Sequence, residues 1–213
     1  MKSFIFLLLV CGLLQTPGFA QTKTTTVVVR PAIRVLDRAE MHRQLSLTPK
    51  VVVVPVSPSS TVKTTTVVET PGQPRRVYNA ERNVVVVGDP QQSYELPYVT
   101  LPVLFEKETA QLLDKESRAA LEQVAAVIRE VSKTTPGAHY DIEGHTSTEG
   151  TEEYNLTLSA ARAQRVFDEL TQTYGVPASV LSAHGYGEGF PHFPNGKEKE
   201  KQQDRRVLVV RTK

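Results

Sequence analysis

The run Gly144-His145-Thr146-Ser147-Thr148-Glu149-Gly150 sets small hydroxyl side chains, one imidazole and one carboxylate between two glycines. Glycine at both ends allows a ligand to come close to the backbone. Just behind it, Asn155, Ser159 and Arg162 stand at i, i+4 and i+7, which places an amide, a hydroxyl and a guanidinium on one helical stripe. Free N–H groups at the start of such a helix favour a carboxylate by roughly 0.3–1 kcal/mol. A guanidinium grips a carboxylate with two parallel hydrogen bonds. Asp204-Arg205-Arg206 adds two more guanidinium groups near the C-terminus. The chemistry on offer is recognition of a small anionic or zwitterionic group. Thr146, Ser147, Asn155, Arg162 and Arg205 or Arg206 are the candidate contacts, and an ion pair between Arg162 and Glu149 is the structural alternative for that arginine.

A reaction is not indicated, and the chain reads as non-enzymatic. No nucleophile–base pair stands out. The five histidines, His42, His139, His145, His184 and His192, have no metal-ligand spacing, so neither a metal nor a cofactor is expected. His145 is expected to fix its turn by hydrogen bonding. Glu152 and Glu153 read as first-turn acids of a helix. Gly185-Tyr186-Gly187-Glu188-Gly189 lacks the Lys-Ser/Thr and the following helix of a phosphate loop.

The elements that must position these residues are legible from the patterning. Val99 to Phe105 is a strand candidate, with Pro102 marking an edge or a strand start. Leu121, Val124, Ala125, Ile128 and Val131 form one apolar face of a helix over Asp114 to Ser132. His139 to Gly144 alternates as a strand. A second helix, Glu152 to Tyr174, is expected to bury Leu156, Ala160, Ala163, Phe167 and Leu170. Strands at Leu181 to Gly185 and Arg206 to Arg211 complete a β-α-β-α-β-β order. Helices between strands imply crossovers, hence an α+β domain with a mixed sheet and two main helices packed on it.

The sequence before residue 99 is of another kind. Lys2, the apolar run Phe4 to Leu14 and Gly18-Phe19-Ala20 read as an export signal cleaved after Ala20, too short to span a bilayer. Cys11 lies inside it, and Val10 is not the small residue that a lipidation motif wants before the cysteine. Residues 21–98 form a Val/Thr/Pro-rich extended or β segment. Short β-branched runs recur at Thr24 to Val29, Val51 to Val54, Thr64 to Val68 and Val84 to Val87, and Lys23 to Val28 is echoed at Lys63 to Val68. They are too few and too short for a membrane barrel. The segment is read as a spacer or a small β element, and its exposed Val/Thr runs would suit strand donation to a partner. Ten Lys/Arg against six Asp/Glu here, and fourteen against seventeen in residues 99–213, leave no basic stripe for nucleic acid.

At Ile142-Glu143-Gly144-His145-Thr146, Tyr154-Asn155 and Leu158 to Ala163 the chain resembles the OmpA-like C-terminal domain family. Val103-Leu104-Phe105, Val176-Pro177-Ala178, Ser182 to Glu188 and Arg205-Arg206-Val207 follow that family's order, over about Tyr98 to Lys213. The resemblance implies non-covalent binding of peptidoglycan through the diaminopimelate of its stem peptide. With the export signal it implies a periplasmic setting and outer-membrane association; contacts to outer-membrane or periplasmic proteins are expected from the Val/Thr runs of the N-terminal segment, which the resemblance does not cover. In that family an aspartate follows the Gly-His-Thr, and an arginine fifteen residues later pairs with it around the ligand. Arg162 matches the arginine; Ser147 stands in the aspartate's place. Glu149 is the carboxylate expected to reach the ligand's ammonium instead. The alternative is a structural or protein-docking module that has lost wall binding with the change at Ser147.

Overall fold

A computed structural model describes residues 37–52, 75–88 and 92–213. The elements run α1 (Arg38–Ser46), β1 (Lys50–Val52), β2 (Arg75–Asn79), β3 (Val84–Gly88), β4 (Ser93–Leu101), α2 (Lys115–Thr134), β5 (Tyr140–Gly144), α3 (Glu152–Asp168), β6 (Leu181–Gly185), α4 (Glu198–Asp204) and β7 (Val207–Arg211). The sheet order is β2-β3-β4-β7-β5-β6, with β1 also paired to β4. Only β5 and β6 are parallel; the other pairs are antiparallel, so the fold is α+β with a mixed sheet. The signal-like segment and the runs at 24–29 and 64–68 lie outside the described residues. Among the described residues no helix is long and apolar enough to cross a membrane.

α2 forms as its pattern dictates. The Asp114 side chain caps it by accepting from the Ser117 amide at 2.8 Å. Leu121, Val124, Ala125, Ile128 and Val131 are buried in the main core with Val99, Leu101, Tyr140, Ile142, Val207 and Val209. The opposite face of the sheet carries a second core of Tyr78, Val85, Leu96, Tyr98, Leu208 and Val210.

Three expectations need correction. The strand sought over Val99 to Phe105 spans Ser93–Leu101: it stops before Pro102, which has no N–H to give a ladder, and starts earlier because β3 pairs with residues 93–97. Position 98/99, taken as the boundary between two kinds of sequence, therefore falls inside one continuous strand. The segment before it also holds a helix, α1, which was read as extended or β. Asp37 caps α1 through the Glu40 amide, and Met41, Gln44 and Leu45 turn inward. The buried Arg211 donates to the Leu45 carbonyl at 2.8 Å, placing a cation at the helix's C-terminal end.

The third correction concerns α3, which ends at Asp168 and continues as a π-helical turn, Glu169–Thr173. Its buried residues are Asn155, Ser159, Ala163 and Val166, whereas Leu156 is 52% exposed and Ala160 is exposed. The inward face is rotated because Gly144 and Gly185 admit the helix backbone where side chains would stand. A Cβ at Gly144 would collide with the Ser159 carbonyl, and one at Gly185 with the Ala160 backbone. Ser159 Oγ donates to the Leu156 carbonyl and accepts from the Gly187 amide, both at 2.8 Å, so the polar stripe is satisfied inside the packing. Because backbone cannot move aside, Gly185→Ala is expected to destabilise the fold by about 1–3 kcal/mol or more, read as a fall of several degrees in a thermal melt.

Candidate functional site

The loop after β5 is held on three sides. The His145 amide donates to the Arg206 carbonyl and the Thr146 amide to the Gly187 carbonyl, each at 2.9 Å. From below, Asn155 donates through Nδ2 to the carbonyls of Glu149 (2.9 Å) and Ser147 (3.3 Å) and to Glu188 Oε2 (2.5 Å). Thr151 caps α3 by accepting from the Tyr154 amide at 3.2 Å. Thr146, Ser147 and Asn155 are buried, and Thr146 Oγ1 has no hydrogen-bond partner among the described residues.

Two guanidinium groups from different elements stand in this region: Arg205 bonds the loop directly, and Arg162 feels the Arg205 charge. Arg205, at the end of α4, donates through Nε to Ser147 Oγ at 3.2 Å and pairs with Glu149 (2.5 Å) and Glu198 (2.6 Å). Arg162, half-buried on α3, donates through Nε to the Thr109 carbonyl at 3.0 Å and lies 5.0 Å from the centre of the Phe105 ring. Among the described residues no carboxylate lies within ion-pair distance of Arg162. Burial brings its pKa down to about 10; the Tyr154 hydroxyl opposes that shift and the Arg205 charge adds to it. The group stays protonated at neutral pH with its two terminal nitrogens unmatched by any carboxylate.

The remaining expected site residues are placed as follows. Glu149 does not pair with Arg162: both its oxygens are held, by Lys201 (2.9 Å) and by Arg205. Those hydrogen bonds, with Lys201 the stronger influence, lower its pKa. Arg206 points away from the loop into the second core, over the Tyr78 ring, donating to the Phe190 carbonyl at 3.0 Å. Ser147, Glu149, Asn155 and Arg205 are thus joined by hydrogen bonds next to Thr146, Arg162 is linked to them only through the Arg205 charge, and Arg206 stands apart. Glu188, which sequence reasoning passed over, belongs to the same cluster through Asn155.

Under the loop lies a buried polar network. Glu143, fully buried on β5, forms an ion pair with Arg76 of β2 and accepts from the Tyr78 hydroxyl at 2.7 Å. Arg76 also donates to the Tyr186 hydroxyl at 2.8 Å. Burial pushes the Glu143 carboxyl up, but the neighbouring His145, Arg76 and Tyr78 outweigh it and hold it below its ordinary value. His145 does not fix its turn through side-chain hydrogen bonds. Among the described residues both ring nitrogens lack a hydrogen-bond partner, and Nε2 stands 3.7 Å from Glu143. The ring works as an aromatic wedge, stacked on Tyr186 at 5.6 Å and edge-on to Tyr78 at 5.3 Å.

The fold is an α+β domain whose mixed sheet carries a polar loop at the start of α3, with Arg205 of the β6–β7 connection bonded to that loop. Residues 104–205 match the model of the OmpA family, and that part of the chain belongs to it. The chain is 40% identical over 75 residues to outer membrane porin F of Pseudomonas aeruginosa, covering 35% of this chain and 21% of that protein. It is 32% identical over 127 residues to outer membrane protein Omp38 of Acinetobacter baumannii, covering 60% and 34%. It is 37% identical over 81 residues to the peptidoglycan-associated lipoprotein of Legionella pneumophila, covering 38% and 46%. The chain thus spans less than half the length of each of these relatives.

The wedge has a pH consequence. Burial, then the Arg206 charge, lowers the His145 pKa to about 4, and the same two influences with His145 lower His192 to about 3. Between those values and the unfolded value near 6.5 the unfolded chain binds the protons and the folded one does not. Stability is therefore full above about pH 6.5 and falls as pH drops towards 4, by about 3 kcal/mol from His145 alone. Denaturant midpoints between pH 7 and 4.5 should show this fall, and His145→Phe should flatten it.

Proposed function

We propose that this chain is an exported envelope protein that binds peptidoglycan without covalent attachment, through the diaminopimelate-bearing stem peptide. Arg162 and Arg205 receive the ligand's carboxylate, and Asn155 with the backbone around Thr146 and Ser147 orients it. The observation that carries this reading is the Arg162 guanidinium, half-buried within reach of the Arg205 charge and with no carboxylate to neutralise it among the described residues. Family membership of residues 104–205 supports it, as does the relative named as peptidoglycan-associated. Relatives named as outer-membrane proteins support a place in the envelope, with residues 1–20 as the export signal and the periplasm as destination. Residues 21–98 would then carry contacts to other envelope proteins.

A second reading has its own observation. Glu149 and Glu198 already occupy Arg205, closing half of the cationic surface as a docking module without wall binding would. Co-sedimentation of the full chain with protein-free, diaminopimelate-type peptidoglycan separates the two. The expected result is pelleting of the wild type and a loss of at least tenfold in affinity for Arg162→Ala, at unchanged melting temperature. Wild type that stays in the supernatant across salt and pH would leave the docking module standing.

A further inference from the structure

Ser147 leaves the loop without a carboxylate at the position where the family has one, and Glu149 is neutralised by Lys201 and Arg205. A ligand bearing an ammonium beside its carboxylate needs an anion that protein cations have not claimed. Glu188 meets that condition. Its carboxylate is partly exposed and accepts from Asn155 Nδ2 at 2.5 Å, and no cation lies within ion-pair distance of it among the described residues. It is also fixed in place. Gly187, just before it, adopts φ +51° and approaches the Leu156 backbone so closely that a side chain there would have to displace main chain. The Gly187 amide donates to Ser159 Oγ, and the Gly187 carbonyl accepts from the Thr146 amide.

The two charges flank one residue. Ser147 meets Arg205 through its hydroxyl, at 3.2 Å, and meets the Asn155 amide that carries Glu188 through its carbonyl, at 3.3 Å. Beside it, the buried Thr146 Oγ1 has no protein partner. We infer that Glu188 is the anionic half of the site and takes the ligand's ammonium, so that the site selects a zwitterionic amino-acid head over a simple carboxylate. This rests on the wall-binding reading and adds to it a residue from the β6–β7 connection. Asn155 holds Glu188 in position, and the specificity for a free amine is set by Glu188.

The test is titration calorimetry of the full chain with two synthetic probes. One is the tripeptide L-Ala-γ-D-Glu-meso-diaminopimelate, and the other is the same peptide acetylated on the side-chain amine. Wild type should prefer the free amine by roughly ten- to a hundredfold, the worth of one charge-assisted hydrogen bond. Glu188→Gln keeps an acceptor for Asn155, so its melting temperature should be unchanged while the preference collapses through weaker binding of the free-amine peptide alone. Equal wild-type binding of both probes, or a preference retained in Glu188→Gln, overturns the role of Glu188 and leaves wall binding intact. Wild type that binds neither probe overturns both.

Discussion

Glu143 is a carboxylate with no access to water, set in the strand that leads into the Gly144–Gly150 loop, and the arrangement of the second face of the sheet follows from the need to satisfy it. Leaving such a charge without its partner costs about 3–5 kcal/mol, because the desolvation penalty then goes uncompensated. Its partners come from a distant part of the chain: Arg76 and Tyr78 on β2, reaching across from the far edge of the sheet order. To bring them there, the β2–β3 hairpin must fold over the sheet's second face, and Val85, Leu96 and Phe190 fill the space it encloses. The charge thus specifies where the hairpin goes, and the apolar contacts supply the favourable free energy once it is there.

That geometry makes the N-terminal strands part of the site's foundation. Arg76 touches Glu143 and Tyr186 at once, and Tyr186 stacks on His145 in the loop itself. The residue after Tyr186 ties back to Thr146 and Ser159. A shift of the hairpin would move two of the loop's supports together. Rigid support from packed side chains and fixed hydrogen bonds is what allows a small polar loop to present groups at constant spacing.

How much of this was legible in the sequence depends on the range of the interaction. The α2 face, Leu121 through Val131, repeats at helical spacing in one window, and every residue assigned to it is buried. β6 and β5 lie within a residue of their expected bounds, because their ends are set locally by glycines and turns. α3 misled because apolar periodicity normally marks the inward face, and here two glycines on other elements let Asn155 and Ser159 turn inward instead. The capping signal of α1, Asp37 with Glu40, was present but lay among polar residues with little periodicity. Arg162 and Arg205 stand out in the sequence as guanidinium groups near the loop, and Ser147 through the family resemblance. Arg76 could not, since its meaning depends on a carboxylate 67 residues away.

The two arginines near the loop are balanced in different ways. Burial strips hydration from the Arg162 guanidinium and is the main reason its pKa is lowered, and repulsion from Arg205 adds a smaller push in the same direction. Arg205 relieves its own share through Glu149 and Glu198; Arg162 has a carbonyl and an aromatic ring, which orient a guanidinium without neutralising it. A fold optimised for stability alone would place an acid beside Arg162, or an uncharged residue there. The guanidinium instead keeps its two terminal nitrogens unmatched by any carboxylate among the described residues, although such a group can hold a carboxylate with two parallel hydrogen bonds. The same reasoning separates the two acids of the loop region. Glu149 stabilises the unliganded protein, whereas Glu188, held by a neutral amide, leaves its charge available to something outside it.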